Sequence, residues 1–278
     1  MRCIKLTLAY DGTDYCGWQV QPNGPTVQAA VEQAIEKLTH IPTTVTVAGR
    51  TDSGVHALGQ VAAFRTESKI PLRKFRGGIQ TFLPEDIVVV DAAEVHDDFH
   101  ATYWTLKKRY RYVMFDGDVM LPFLRRYVHN VGRRMNMESM QIAANSLLGT
   151  HDFRCFESHF PNKATSIRTI LAATLQRTSR WPGWLPLPIE HTQVQTSDSG
   201  PVATVGFDDD FVCFEVEADG FLYNMVRAIV GSLIRVGLGQ WKPERMAEVI
   251  AGMDRSLAGH TAPAHGLYMV SVNYRDEP

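Results

Sequence analysis

A short acid framed by glycines is the most reactive-looking feature of this chain. The stretch Ala48-Gly49-Arg50-Thr51-Asp52-Ser53-Gly54-Val55-His56-Ala57 sets one carboxylate, one arginine and one histidine in a turn. Glycine turns the backbone without a Cβ clash and lets a ligand come close. A loop at a strand end is where a rigid scaffold presents a reactive group. An ionised carboxylate held there is able to act as a nucleophile. Asp-Ser-Gly is also ordinary turn chemistry, and Asp52 taken alone fits that plainer reading. Hydrolysis by paired acids needs a second carboxylate, and this loop offers only Asp52.

A second group mixes cations with aromatic rings. In Lys107-Lys108-Arg109-Tyr110-Arg111-Tyr112, strand alternation puts Tyr110 and Tyr112 on one face and Arg109 and Arg111 on the other. Eight basic residues lie between Lys107 and Arg134, against two acids, Asp116 and Asp118. Lys69, Arg73, Lys74 and Arg76 form a smaller group. Such interleaving suits phosphate contacts combined with base stacking; the plain alternative is a solvated charged face. Twenty-eight basic against thirty acidic residues give a net charge of −2, so any nucleic-acid surface must come from local clustering.

These groups need a scaffold. Cys3 to Tyr10 alternates like a half-buried strand. Pro25-Thr26 opens a helix, with Thr26 as N-cap and Val27, Ala30, Val31, Ala34, Ile35 and Leu38 as its apolar stripe. Thr43 to Val47 and Gln60 to Phe64 read as strands flanking the Asp52 loop. Pro71 begins a helix running to about Phe82, and Ile87 to Val90 starts a strand expected to be buried on both faces. The first half thus reads β-α-β-β-α-β, a ferredoxin-like pattern. The second repeats this alternation of strands and helices at a similar scale: a strand from Lys107 to Phe115, a helix from Met137 to Leu148 ended by Gly149, strands from Ile167 to Leu175 and Phe211 to Val216, helices from Leu222 to Ile234 and from Pro243, and a strand from Leu267 to Tyr274. Asp152 to Phe156 reads as a loop. Arg177 to Gly206, rich in Pro, Ser, Thr and Gly, reads as a long hairpin excursion.

At 278 residues, 45% hydrophobic and 21% charged, the chain suits a folded protein with a sizeable core. Its four cysteines form no Cys-x-x-Cys pair, so no metal site is expected. With no secretory leader and no long uncharged apolar run, a cytoplasmic protein without a membrane span is expected.

The Asp52 loop closely resembles the signature of the tRNA pseudouridine synthases of the TruA family. Other strings agree in order: Tyr10-Asp11-Gly12-Thr13-Asp14-Tyr15-Cys16-Gly17-Trp18, Arg109-Tyr110-Arg111-Tyr112, Gly220-Phe221-Leu222-Tyr223-Asn224-Met225-Val226-Arg227, and Ala262-Pro263-Ala264-His265-Gly266-Leu267-Tyr268. The resemblance implies conversion of uridine to pseudouridine in the anticodon arm of tRNA, at positions 38 to 40, without cofactor or metal. It implies Asp52 as nucleophile, Arg227 as the cation beside it, and Tyr110 as the ring that stacks on the flipped uracil. It also implies Arg50 as the residue that enters the stem or holds a phosphate, with Arg109, Lys107 and Lys108 as further RNA contacts. On a helical wheel Arg227 falls at the flank of the apolar stripe, where an arginine needs an acidic partner or must reach back to water. His56 follows the motif and is read as bonded to backbone. Thr102, where similar sequences carry arginine, and Gln80, where they carry asparagine, depart from the pattern.

The fold expected is therefore α+β. Two ferredoxin-like halves, residues 1–105 and 106–278, form one extended, mainly antiparallel sheet with helices on one face and a central catalytic cleft. A homodimer is expected, with a tRNA arm reaching across two subunits. The competing reading is a non-catalytic RNA-binding module, in which a tyrosine-bearing sheet binds single strands without chemistry.

Overall fold

The computed structural model describes residues 1–158, 165–179 and 209–275. Strand β1 (Arg2–Tyr10) forms where Ile4, Leu6 and Leu8 alternate with polar residues, and all three are buried. Thr26 caps α1 (Val27–Thr39), its hydroxyl accepting the Ala29 N–H. Next come β2 (Thr46–Val47), β3 (His56–Thr66), α2 (Leu72–Gln80) and β4 (Ile87–Val95). The second half holds β5 (Thr105–Phe115), β6 (His129–Asn130), α3 (Met137–Asn145), β7 (Gly149–Asp152), β8 (Ile167–Thr178) and β9 (Phe211–Ala218). It closes with α4 (Met225–Gly237), α5 (Arg245–Gly252) and β10 (Leu267–Tyr274).

The main path of the sheet runs β4-β1-β3-β10-β5-β9-β8-β7, with β2 added to β3 and β6 to β5. Its strands pair antiparallel except at β3–β10 and β5–β6. The first half has the order β4-β1-β3-β2 and the second β10-β5-β9-β8, which is one ferredoxin-like order used twice. Strand β2 meets β3 only at Ala62 and Ala63, and the uncovered start of β3, at His56 and Ala57, takes β10 instead. The expected fold is the observed one: two ferredoxin-like halves joined in one mainly antiparallel sheet.

Helices lie on one face. Ile4, Leu6 and Leu8 of β1, Tyr110, Tyr112 and Met114 of β5, and Phe214 and Val216 of β9 share one core with the buried stripes of all five helices. The opposite face carries two small clusters, around Phe115, Phe211 and Tyr268 and around Cys3, Phe99 and Ala101. Among the described residues, no helix is long and apolar enough to cross a membrane.

Several expectations change in detail. Strand β4 is an edge: Ile87 and Val89 are buried, but Val88 and Val90 are 43% and 46% exposed, so its second face is open rather than covered. Only Thr46–Val47 of the run from Thr43 pairs into the sheet, because Glu32 on α1 accepts the Val45 N–H at 3.0 Å and holds the chain back. Gly149, expected to end a helix running to Leu148, instead opens the strand β7 at φ +96°, and α3 stops earlier, at Asn145. The last helix begins at Arg245, two residues after Pro243. Most of the excursion from Arg177 to Gly206 lies outside the described residues, although its flanks do pair as the antiparallel strands β8 and β9.

Candidate active site

The loop between β2 and β3 is held from several sides. Trp18 N–H donates to the Thr51 carbonyl at 3.0 Å, and the Ser53 hydroxyl donates to the Tyr15 carbonyl at 3.1 Å. Gly17, at φ +90°, comes so close that a Cβ there would lie 2.6 Å from the Thr51 oxygen, so this contact requires glycine. The glycine-rich stretch from Tyr10 to Trp18 thus braces the reactive loop. Trp18 itself is buried, its ring 6.2 Å from that of Tyr10.

Asp52 meets Arg227 across 175 residues of sequence, with Oδ2 3.3 Å from Nη1. Burial pushes the Asp52 carboxyl above its ordinary range, and the charge and hydrogen bond of Arg227 oppose that rise. Arg227 stands in the first turn of α4 and is fixed from behind: Nε donates to the Ala262 carbonyl at 2.7 Å and Nη1 to Asn224 Oδ1 at 2.8 Å. Asn224 adopts a left-handed φ of +61° and also donates to the Ser158 hydroxyl. A backbone carbonyl such as that of Ala262 carries no mark in a sequence; an asparagine just ahead of the helical stripe was the available signal for Asn224.

Tyr110 faces the same side of the sheet as the helices and is 7% exposed. Phe221 meets its ring edge-on at 5.0 Å. Burial drives its phenol strongly upward, and neighbouring Tyr10 and Asp52 add to that rise, so it stays protonated. Its hydroxyl has no hydrogen-bond partner among the described residues. A buried, unpartnered hydroxyl beside a carboxylate calls for an explanation, and a bound ligand supplies one. Three predicted residues, Asp52, Tyr110 and Arg227, are thus brought together.

The cations divide. Arg50, in the loop itself, is exposed and makes no ion pair among the described residues. Lys107 and Arg109 lie on the sheet face opposite Tyr110. Glu217 of β9 accepts from Lys107 at 2.8 Å and from Arg109 at 3.0 Å, while Arg111 pairs with Glu215. The reading that only two acids oppose this run is corrected: Glu215 and Glu217 face it from the neighbouring strand. Lys108 is not on a surface at all; it is buried, with its ammonium donating to the Ala48 carbonyl at 2.5 Å. His56 is buried as well, Nδ1 accepting the Gly12 N–H at 3.1 Å and Nε2 facing the Arg126 and His265 carbonyls. It is bonded to backbone as expected, and its Nδ1 also lies 3.1 Å from the Asp11 carboxylate. Of the two departures, Thr102 donates to the Val47 carbonyl, and Gln80 clamps the edge strand through the Ile87 carbonyl and the Val89 N–H.

Comparison with known proteins follows this geometry. A family profile described as tRNA pseudouridine synthase matches residues 7–104 and 143–275. The tRNA pseudouridine synthase A of Acetivibrio thermocellus is 42% identical over 274 residues, covering 99% of this chain and 100% of that protein. That of Thermoanaerobacter pseudethanolicus is 39% identical over the same lengths. Among solved structures, the archaeal box H/ACA sRNP Nop10-Cbf5 complex aligns at 12% identity and a TM-score of 0.37, over 98% of this chain and 49% of that one. By the family profile and the full-length identities, this chain belongs to the tRNA pseudouridine synthase family.

Proposed function

We propose that this protein isomerises uridine to pseudouridine in the anticodon arm of tRNA, with Asp52 as the nucleophile. The observation that carries the reading is the meeting of Asp52, Arg227 and the unpartnered Tyr110 hydroxyl on one face of the sheet. A target base within a stem must be extruded before a protein carboxylate reaches it. Tyr110 then stands in for the lost stacking, and Arg50 supports the displaced strand. Asp52 adds to the nucleoside, the bond between C1′ and N1 breaks, and the base turns. C5 joins C1′, the bond to Asp52 breaks and returns the carboxylate, C5 loses its proton, and N1 gains one. No redox partner is required for this balance. Arg227 opposes the rise that burial imposes on the Asp52 carboxyl. The same reading places the protein in the cytoplasm, as a homodimer whose two subunits share one tRNA.

Tritium at uridine C5 of a tRNA transcript is released to water by this reaction. Wild-type protein is expected to release it, and Asp52→Asn to slow release by more than about 1000-fold, the scale for losing a nucleophile, while still binding tRNA. Tight binding without release from any tRNA tested would replace the enzyme with the RNA-binding module.

A further inference from the structure

The residue least explained by RNA contact is Lys108. It projects from β5 to the same face as Tyr110, two residues along the strand, and is 8% exposed. Its ammonium donates to the Ala48 carbonyl at 2.5 Å, and a Cβ on Gly49 would lie 2.8 Å from Nζ. Ala48 and Gly49 open the loop that carries Asp52. The same backbone is tied elsewhere to β3, the Ala48 N–H to the Val61 carbonyl at 2.9 Å and the Gly49 carbonyl to the Gln60 amide at 2.8 Å. Further on, the Tyr10 and Thr51 hydroxyls share a hydrogen bond of 2.7 Å. Strands β1 and β3 therefore hold the loop from the first half of the chain, and Lys108 holds it from the second.

A buried ammonium on a backbone carbonyl forms a charge-assisted bond, stronger and shorter than a neutral one. We infer that Lys108 is a positioning residue: it ties the Asp52 loop to the strand that carries Tyr110, and so sets the separation of the two groups. Gly49 is the complementary half of this device, because any side chain at that position enters the space the ammonium occupies. The inference rests on Asp52 being the nucleophile. A misplacement of about 1 Å in a reacting group costs up to about 100-fold in rate, with substrate affinity left intact.

The test is single-turnover tritium release from saturating tRNA, with the tRNA dissociation constant measured at two salt concentrations. Lys108→Met is expected to slow release about 10- to 100-fold while the dissociation constant and its salt dependence stay at wild-type values. Gly49→Ala, which displaces only the flexible end of the lysine and so keeps the fold, is expected to slow release to a similar degree. The double variant should be no slower than the worse single, since both changes remove one bond. A wild-type rate in Lys108→Met, or additive losses in the double variant, would overturn the proposal. So would weaker binding with a shallower salt dependence, which marks a phosphate contact. Asp52→Asn measured alongside separates the two layers: if it too released tritium at the wild-type rate, the nucleophile itself would be misassigned.

Discussion

Burial and Arg227 pull the Asp52 carboxyl in opposite directions, and burial wins. With Asp52 as the proposed nucleophile, the reaction uses its carboxylate form, so the rate should climb as pH rises through the raised pKa of Asp52. Arg227→Gln leaves burial unopposed. The rising limb of single-turnover tritium release against pH is then expected to move to higher pH, with part of the lost rate recovered in alkali; an unmoved limb would mean that Arg227 does not tune Asp52. Much of this was legible in the residues themselves. Asp52 stands in a glycine-framed turn, and Arg227 sits on the flank of an apolar helix, where an unpaired cation is costly. Lys108 was not legible. On a strand it looks like any surface lysine, and only the loop folding back over it makes it internal. The Ala62–Ala63 side of β3 and the carbonyl of Ala262 were equally hidden, since a backbone group carries no signature in a sequence.

Among the elements, the strands set charges against one another in ways that local counting misses. The basic run on β5 reads as a cationic surface until Glu215 and Glu217 arrive from β9, about 100 residues later. A second pairing of this kind fastens β5 to β8. Asp116, wholly buried just past the end of β5, accepts two bonds from Arg177 of β8, at 2.7 and 2.8 Å, one from the Met135 N–H, and a long one from the more exposed Arg134 at 3.5 Å. Removing one partner of a buried pair strands the other charge. Arg177→Met is therefore expected to lower unfolding stability by about 3 kcal/mol, read from urea denaturation, with Asp116→Asn in the same chain recovering part of it. The periodicity of Val27 to Leu38 and of Met225 to Ile234 announced their helices plainly, because each has one apolar side to bury. The ends of elements were less legible. Pro243 precedes its helix by two residues rather than starting it, and the apolar run at Val88 and Val90 lies on an open edge, because exposure depends on whether a neighbouring strand arrives.

At the scale of the molecule, the repeated ferredoxin-like order was visible as a pattern of elements, but the join between halves was not. It depends on β2 being too short to cover β3. The proposed dimer belongs to this scale too: light scattering at working concentration is expected to give twice the 31.2 kDa chain mass, and a single chain mass would refute it. The join has a further consequence. Strand β10 stands in the middle of the sheet, between β3 and β5, yet it is the last of the described strands to leave the ribosome. Until it emerges, the two halves have no strand between them, and the strip that spaces Asp52 from Tyr110 is missing. Under the proposed roles of Asp52 and Tyr110, a nascent or prematurely ended chain is expected to release no tritium from a labelled tRNA. It also shows two bare strand edges, the kind of surface that recruits other chains. A chain that ends before Leu267 therefore leaves the facing edges of β3 and β5 unpaired.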